Sequence, residues 1–252
     1  MNCDYETFME LARARRSVRK LKPDPIPEGS IEKILESGRW AMCGGNSQPW
    51  EFIVVTDPDT KLKMAEMFRD FMQECAEIEK TRAPEIQHPL FSRPAVLPNW
   101  KDTPALIGII GDRRKAQISV LHPNFYGAEG GDGINATFYK CLGNAAMMMH
   151  LAACSLGLAS QWQSLERPLQ LKYSRLLGIP DDLELQSFVC VGYPAFDPGP
   201  GYRRELSEIV HYENYNMDLY KTTKDLREQI IASRAAVRAA ESKAYDLKPI
   251  GE

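Results

Sequence analysis

The sequence has no CxxC pair and no HExxH motif. The first absence argues against a zinc knuckle or a thioredoxin-type dithiol, the second against a zincin-type metal site. Its cysteines (Cys3, Cys43, Cys75, Cys141, Cys154 and Cys190) are scattered, and its histidines (His88, His122, His150 and His211) are isolated. Free thiols in a reducing cytoplasm and no protein-bound metal are therefore expected. An excess of charge of one sign is also missing. With 31 Lys and Arg against 34 Asp and Glu, the net charge of -3 offers no general attraction to nucleic acid or to an anionic membrane. The longest apolar run in mid-chain, Ala105–Gly111, is far too short to cross a bilayer. Asp4, Glu6 and Glu10 follow the first residue too closely for a secretory leader, so a cytoplasmic location is expected. No internal repeat is present and no GxGxxG follows a strand, which argues against a dinucleotide-binding Rossmann domain.

What is present is a chain of 252 residues with 44% hydrophobic and 26% charged residues, ordinary for a globular protein with a sizeable core. Apolar periodicity predicts helices over Tyr5–Ala14, Ser30–Trp40, Lys61–Lys80, Asn135–Leu156 and Pro168–Leu177. Strands are predicted over Glu51–Thr56, Ala105–Ile110 and Gln186–Tyr193. Strand and helix do not alternate as in a doubly wound sheet, so the class is α+β. The Asn135–Leu156 helix is apolar nearly all round and needs cover from a sheet or from a partner subunit. Arg82–Thr103 is broken by prolines and Arg113–Gly133 by glycines; irregular stretches of this length are often lids or binding segments. A charged helix is expected over Leu219–Ala244, with Leu226, Ile230, Ile231 and Val237 spaced for one-sided packing. The economical division is a core domain, residues 1–215, and a helical extension, residues 216–252.

Three segments carry candidate chemistry. Arg15, Arg16, Ser17 and Arg19 follow the first helix, where guanidinium forks flanking a hydroxyl can grip an anion such as a phosphate. Arg203 and Arg204, after the Gly199-Pro200-Gly201 turn, can close on the same anion if the fold brings them near; alone they read equally as a solvated charge pair. In the second segment, Asn46 and Gln48 present amides that suit the edge of a planar heteroaromatic ring, with Gly44 and Gly45 permitting close backbone approach. The plainer reading is a tight loop anchored by a core tryptophan, Trp50. The third, Gly157–Ser164, follows a natural helix stop at Gly157 and offers backbone N–H groups to a ligand.

Taken together and in order, RRSVR at Arg15–Arg19, MCGGNSQPW at Met42–Trp50, GLAS at Gly157–Ser160 and Arg203-Arg204 resemble the nitroreductase-like FMN-dependent flavoproteins. The resemblance covers roughly positions 5 to 211, with Met42-Cys43 standing where the family usually has Pro-Ser. It implies a central, mostly antiparallel sheet flanked by helices, in a homodimer with FMN at the subunit interface. By that resemblance Arg15 and Ser17 bind the FMN phosphate together with Arg203 and Arg204, while Arg16 has no firm role. Arg19 lies toward the pyrimidine side of the flavin and tunes it. Cys43 and Asn46 match positions that approach the flavin from the other subunit. A backbone N–H of Gln163 or Ser164 meets the flavin edge.

The expected function is an NAD(P)H-dependent oxidoreductase that passes electrons to an aromatic, quinone or nitroaromatic small molecule by a ping-pong mechanism. No acid–base side chain is required, because the cofactor carries the redox chemistry. A reductive dehalogenase, an oxygen-using flavoenzyme and a non-enzymatic flavin-binding sensor are the alternatives. Phe91, Trp100, Phe125 and Tyr126 lie in the irregular segments, where they either wall an acceptor pocket or anchor the loops. The C-terminal extension either clasps the partner subunit or packs on its own chain.

Overall fold

The computed structural model describes residues 4–82, 95–115, 131–196, 201 and 203–229, without the side chains of 131–135. Two compact units are distinguished, Met1–Ala195 and Phe196–Glu252.

The first unit holds a four-stranded antiparallel sheet of β1 (Trp50–Val55), β2 (Ala105–Asp112), β3 (Ala159–Ser164) and β4 (Leu183–Gly192), in the order β1-β2-β4-β3. Every position of β2 is buried, as its unbroken apolar run requires of a central strand. Ile107, Ile109 and Gly111 point to one face. A bulge opposite Ile109 and Ile110 resets β4, so Phe188 and Leu185 both turn to the other face, beside Gly108.

Helices cover both faces. On the first lie α2 (Ser30–Arg39) and α4 (Gly131–Ser155), in one core with Ile34, Trp50, Ile107, Ile109, Val189 and Val191. Phe138, Cys141, Leu142, Ala145, Ala146, Met149 and Ala153 of α4 recur at three- and four-residue steps and are buried there. The rest of α4 departs from the expectation of near-complete burial: Tyr139, Met147 and Met148 are 42%, 44% and 37% exposed. The helix ends where the sequence indicates. Gly157 adopts φ 72°, the Leu158 N–H reaches the Ala153 carbonyl at 2.9 Å and the Gly157 N–H reaches Cys154 at 3.0 Å.

On the opposite face, α5 (Arg167–Leu176) packs Tyr173 edge-on against Phe188, with ring centroids 6.1 Å apart. The Tyr173 hydroxyl donates to the Met64 carbonyl at 2.9 Å, tying α3 (Pro58–Lys80) to this layer. Asp57 caps α3 through Thr60 N at 2.8 Å, and Pro58 opens it. The α1 helix (Tyr5–Ala14), capped by Asp4, matches its predicted limits but has no buried residue, and Phe8 is 47% exposed.

In the second unit the described residues form short 3₁₀ turns at Leu206–Glu208 and Met217–Leu219 and a helix over 223–229. The predicted helix thus starts after Leu219, and the rest of its expected span lies outside the described residues.

Candidate functional site

After α1 the chain extends at Arg15 (φ -59°, ψ 121°) and runs along the free edge of β3. Ser17 pairs with Ser160 in a parallel bridge, and the Val18 N–H donates to the Ser160 carbonyl at 3.0 Å. Leu21 bridges to Pro194, and Lys22 N reaches the Tyr193 carbonyl at 2.8 Å. Val18 and Leu21 are buried at 3% each, which leaves Arg19 between them on the exposed side.

Arg19 opens onto a cavity of ≈ 860 Å³. Gln161, Trp162, Gln163 and Ser164 of β3 form one side, with Glu166 just beyond. Phe68, Phe71 and Met72 of α3, with Val96 and Pro98, form an apolar side. Two of the sequence candidates, Gln163 and Ser164, thus meet Arg19 in one place. Within Gly157–Ser164, Ala159–Ser164 form β3, and the β4 ladder sets their position. Trp100 does not line the cavity. It is 4% exposed and packs edge-on behind Phe68 at 6.0 Å, so it braces the wall from inside the protein. Phe91, Phe125 and Tyr126 lie outside the described residues.

Cys43, Asn46 and Gln48 are elsewhere. Their loop leads into β1, at the sheet edge opposite β3. Asn144 Nδ2 donates to the Met42 carbonyl at 2.9 Å, and Gly44 N to Cys141 Sγ at 3.4 Å, so α4 carries the loop. The backbone is unusual there: Gly45, Asn46 and Gln48 have φ of 58°, 51° and 42°. Two non-glycine residues held in the left-handed region within three positions cost free energy, a feature that concentrates at ligand-binding sites. Gln48 also lines a separate cavity of ≈ 620 Å³ with Glu36, Arg39, Trp50 and Lys115. Arg203 and Arg204 are exposed and belong to the second unit.

A buried histidine adjoins the arginine segment, and sequence reasoning missed it. His150 of α4 is 3% exposed, its Nδ1 is 2.6 Å from Ser160 Oγ, and its ring stacks on Trp162 at 5.7 Å. Nε2 has no hydrogen-bond partner among the described residues. Burial, with Arg15 adding like charge, lowers its pKa from the ordinary 6.5 to about 4. The unfolded chain therefore takes up this proton first as pH falls. Stability from the neutral ring is fully present above about pH 6.5, declines toward about pH 4, and loses nothing further below. The loss is expected to be on the order of 3 kcal/mol. Urea unfolding at both pH values should show this decline in the wild type and a smaller one in His150→Phe; equal declines would refute the assignment.

Among the described residues no group of three or more His, Cys, Asp or Glu is placed to hold a metal, and the described cysteines (Cys43, Cys75, Cys141, Cys154 and Cys190) are free thiols. No helix of the described residues is long and apolar enough to cross a membrane.

Residues 12–193, which take in the arginine segment, the Asn46 loop and all four strands, match the model of the nitroreductase family. The chain belongs to the nitroreductase family. It is accordingly an enzyme of the FMN- and NAD(P)H-dependent oxidoreductase class. Among nitroreductase relatives, it is 29% identical over 214 residues to an NADH dehydrogenase of Thermus thermophilus, covering 79% of this chain and 92% of the relative. A shorter stretch of 70 residues is 37% identical to iodotyrosine deiodinase 1 of Mus musculus, 28% of this chain and 25% of that one. The solved NADPH:FMN oxidoreductase of Vibrio harveyi, complexed with NAD+, shares the fold at a TM-score of 0.63 and 19% identity, covering 94% of this chain and 87% of that one.

Proposed function

We propose that this nitroreductase binds FMN between the arginine segment and the β3 cavity, takes electrons from NAD(P)H, and delivers them to an aromatic, quinone or nitroaromatic acceptor. The observation that carries this reading is the placement of Arg19 at the mouth of an apolar cavity beside Gln163 and Ser164. The residues suit the cofactor: Phe68, Phe71, Met72 and Trp162 fit a planar ring system, while guanidinium and hydroxyl groups fit a phosphate. The volume also lies within the range of small-molecule sites.

Arg15 and Ser17 would hold the phosphate. Arg16 stands next to them without an assigned contact. Arg19 would face the pyrimidine side, where its fixed cation favours the added negative charge of the reduced ring. A backbone N–H of Gln163 or Ser164 would meet the ring edge. When bound, FMN supplies hydride acceptance and electron donation. Donor and acceptor would occupy the same opening in turn, which is the basis of ping-pong kinetics.

The Asn46 loop requires a second subunit in this reading. Its anchor at Cys141 and the arginine-side contact at His150 are separated along α4 by about 14 Å at the helical rise. Cys43, Asn46 and Gln48 would therefore approach the FMN held by a partner. The exposed apolar groups Trp40 (71%), Met42 (78%), Met147 (44%) and Met148 (37%) suit such a homodimer interface. The C-terminal segment that carries the 223–229 helix would clasp the partner.

Purified protein should be yellow, dimeric by size analysis, and release near-stoichiometric FMN on denaturation. Anaerobic NAD(P)H should bleach it rapidly, and a quinone or nitroaromatic should restore the colour. Absence of bleaching would sink the nicotinamide-driven reading. A second reading, reductive dehalogenation of an aromatic substrate, is favoured by the local 37% identity to a deiodinase. It predicts halide release from a halogenated phenol at rates above those of nitroaromatic reduction.

A further inference from the structure

We infer that His150 is a positioning residue that locks β3 to α4 and thereby sets both the arginine segment and the Trp162 wall of the cavity. The inference rests on the proposal that this segment and cavity hold FMN.

β3 is the edge strand of the sheet, paired to β4 on one side and to the arginine segment on the other by the short Ser17–Ser160 bridge. An edge strand has only one full ladder to hold it, so side-chain contacts decide how firmly it sits. Ser160 and Trp162 are two residues apart and share the face toward α4. One imidazole meets both, with Nδ1 2.6 Å from Ser160 Oγ and the ring stacked on the indole at 5.7 Å and 23°.

Ser160 is gripped from two directions. Its side chain is held by His150, and its carbonyl accepts the Val18 N–H at 3.0 Å. Val18 sits between Ser17 and Arg19, so the register of both depends on that carbonyl. Trp162, braced by the imidazole, lines the cavity with Arg19 and Gln163. His150 therefore touches neither the cavity nor the arginines' ligand in this account; it acts through Ser160 and Trp162.

The test is FMN affinity, read by quenching of flavin fluorescence on the full chain after dialysis to remove bound cofactor. His150→Phe keeps a ring over Trp162 and removes the bond to Ser160; Ser160→Ala removes the partner. Each should weaken FMN binding about tenfold, the effect of one lost buried hydrogen bond. The double variant should be no weaker than either single one, because both remove the same contact. His150→Asn, whose amide can reach Ser160 Oγ, should recover most of the affinity. Leu185→Ala serves as a destabilised control: this fully buried residue on the α5 face should leave FMN affinity unchanged. Wild-type affinity in both His150→Phe and Ser160→Ala would overturn the inference, as would equal weakening by Leu185→Ala. A wild-type chain that does not bind FMN would instead overturn the cofactor proposal itself. If His150→Phe does not fold, Ser160→Ala and His150→Asn decide the matter.

Discussion

Replacing Phe138 with alanine is expected to lower the unfolding free energy by about 3–5 kcal/mol, the usual cost of deleting a fully buried aromatic ring. Phe138 is 0% exposed on the sheet-facing side of α4. The Arg113 guanidinium lies 4.7 Å above its ring, and Tyr139 packs edge-on at 5.2 Å. A side chain at Gly111 would overlap the Phe138 ring and come within 2.7 Å of Leu142 Cδ1, so the ring occupies the space this glycine leaves. The loss is a large share of the roughly 5–15 kcal/mol that holds a typical domain together. Urea unfolding at neutral pH measures it. The same geometry makes Gly111→Ala destabilising by overpacking, about 1–3 kcal/mol. Combining it with Phe138→Leu should cost less than the sum of the two single changes, because one relieves the crowding that the other creates. Strict additivity would show that the two residues do not share that space.

Arg15→Ala is expected to weaken FMN binding about 10- to 100-fold, the effect of losing charge-assisted hydrogen bonds to a phosphate. Riboflavin, which has the same ring but no phosphate, provides the control. Its affinity should be nearly unchanged by the substitution. Arg15→Lys should recover part of the loss, since lysine restores the charge but not the bidentate fork. Equal losses for FMN and riboflavin would move Arg15 away from the phosphate and toward a structural role in the segment beside β3.

Much of the fold is legible from local patterns, and the exceptions are instructive. The five main helices and three of the four strands follow from apolar spacing to within a few residues. β3 does not, because Ala159–Ser164 is polar on both faces and lacks β-branched residues; only the ladder to β4 makes it a strand. Phe68, Phe71 and Met72 read as an ordinary buried stripe of α3, yet they wall the cavity. The signal was there in a stripe wider than a helix needs for its own packing, but spacing cannot say what the stripe faces. His150 carried no local signal at all, being a single histidine in an apolar helix.

By itself the sequence determined the local conformations, the absence of metal-ligand and dinucleotide motifs, and the set of segments that identify the family, because caps, turns and apolar periods act over a few residues. The tertiary structure alone decided which of those segments share a site. Arg19 meets Gln163 and Ser164 because Ser17 pairs with Ser160 across more than a hundred residues of chain, and the Asn46 loop is set apart because β1 and β3 occupy opposite edges of the sheet. Strand pairing between distant segments is chosen by which arrangement buries both sheet faces under helices, and no short stretch of sequence contains that comparison.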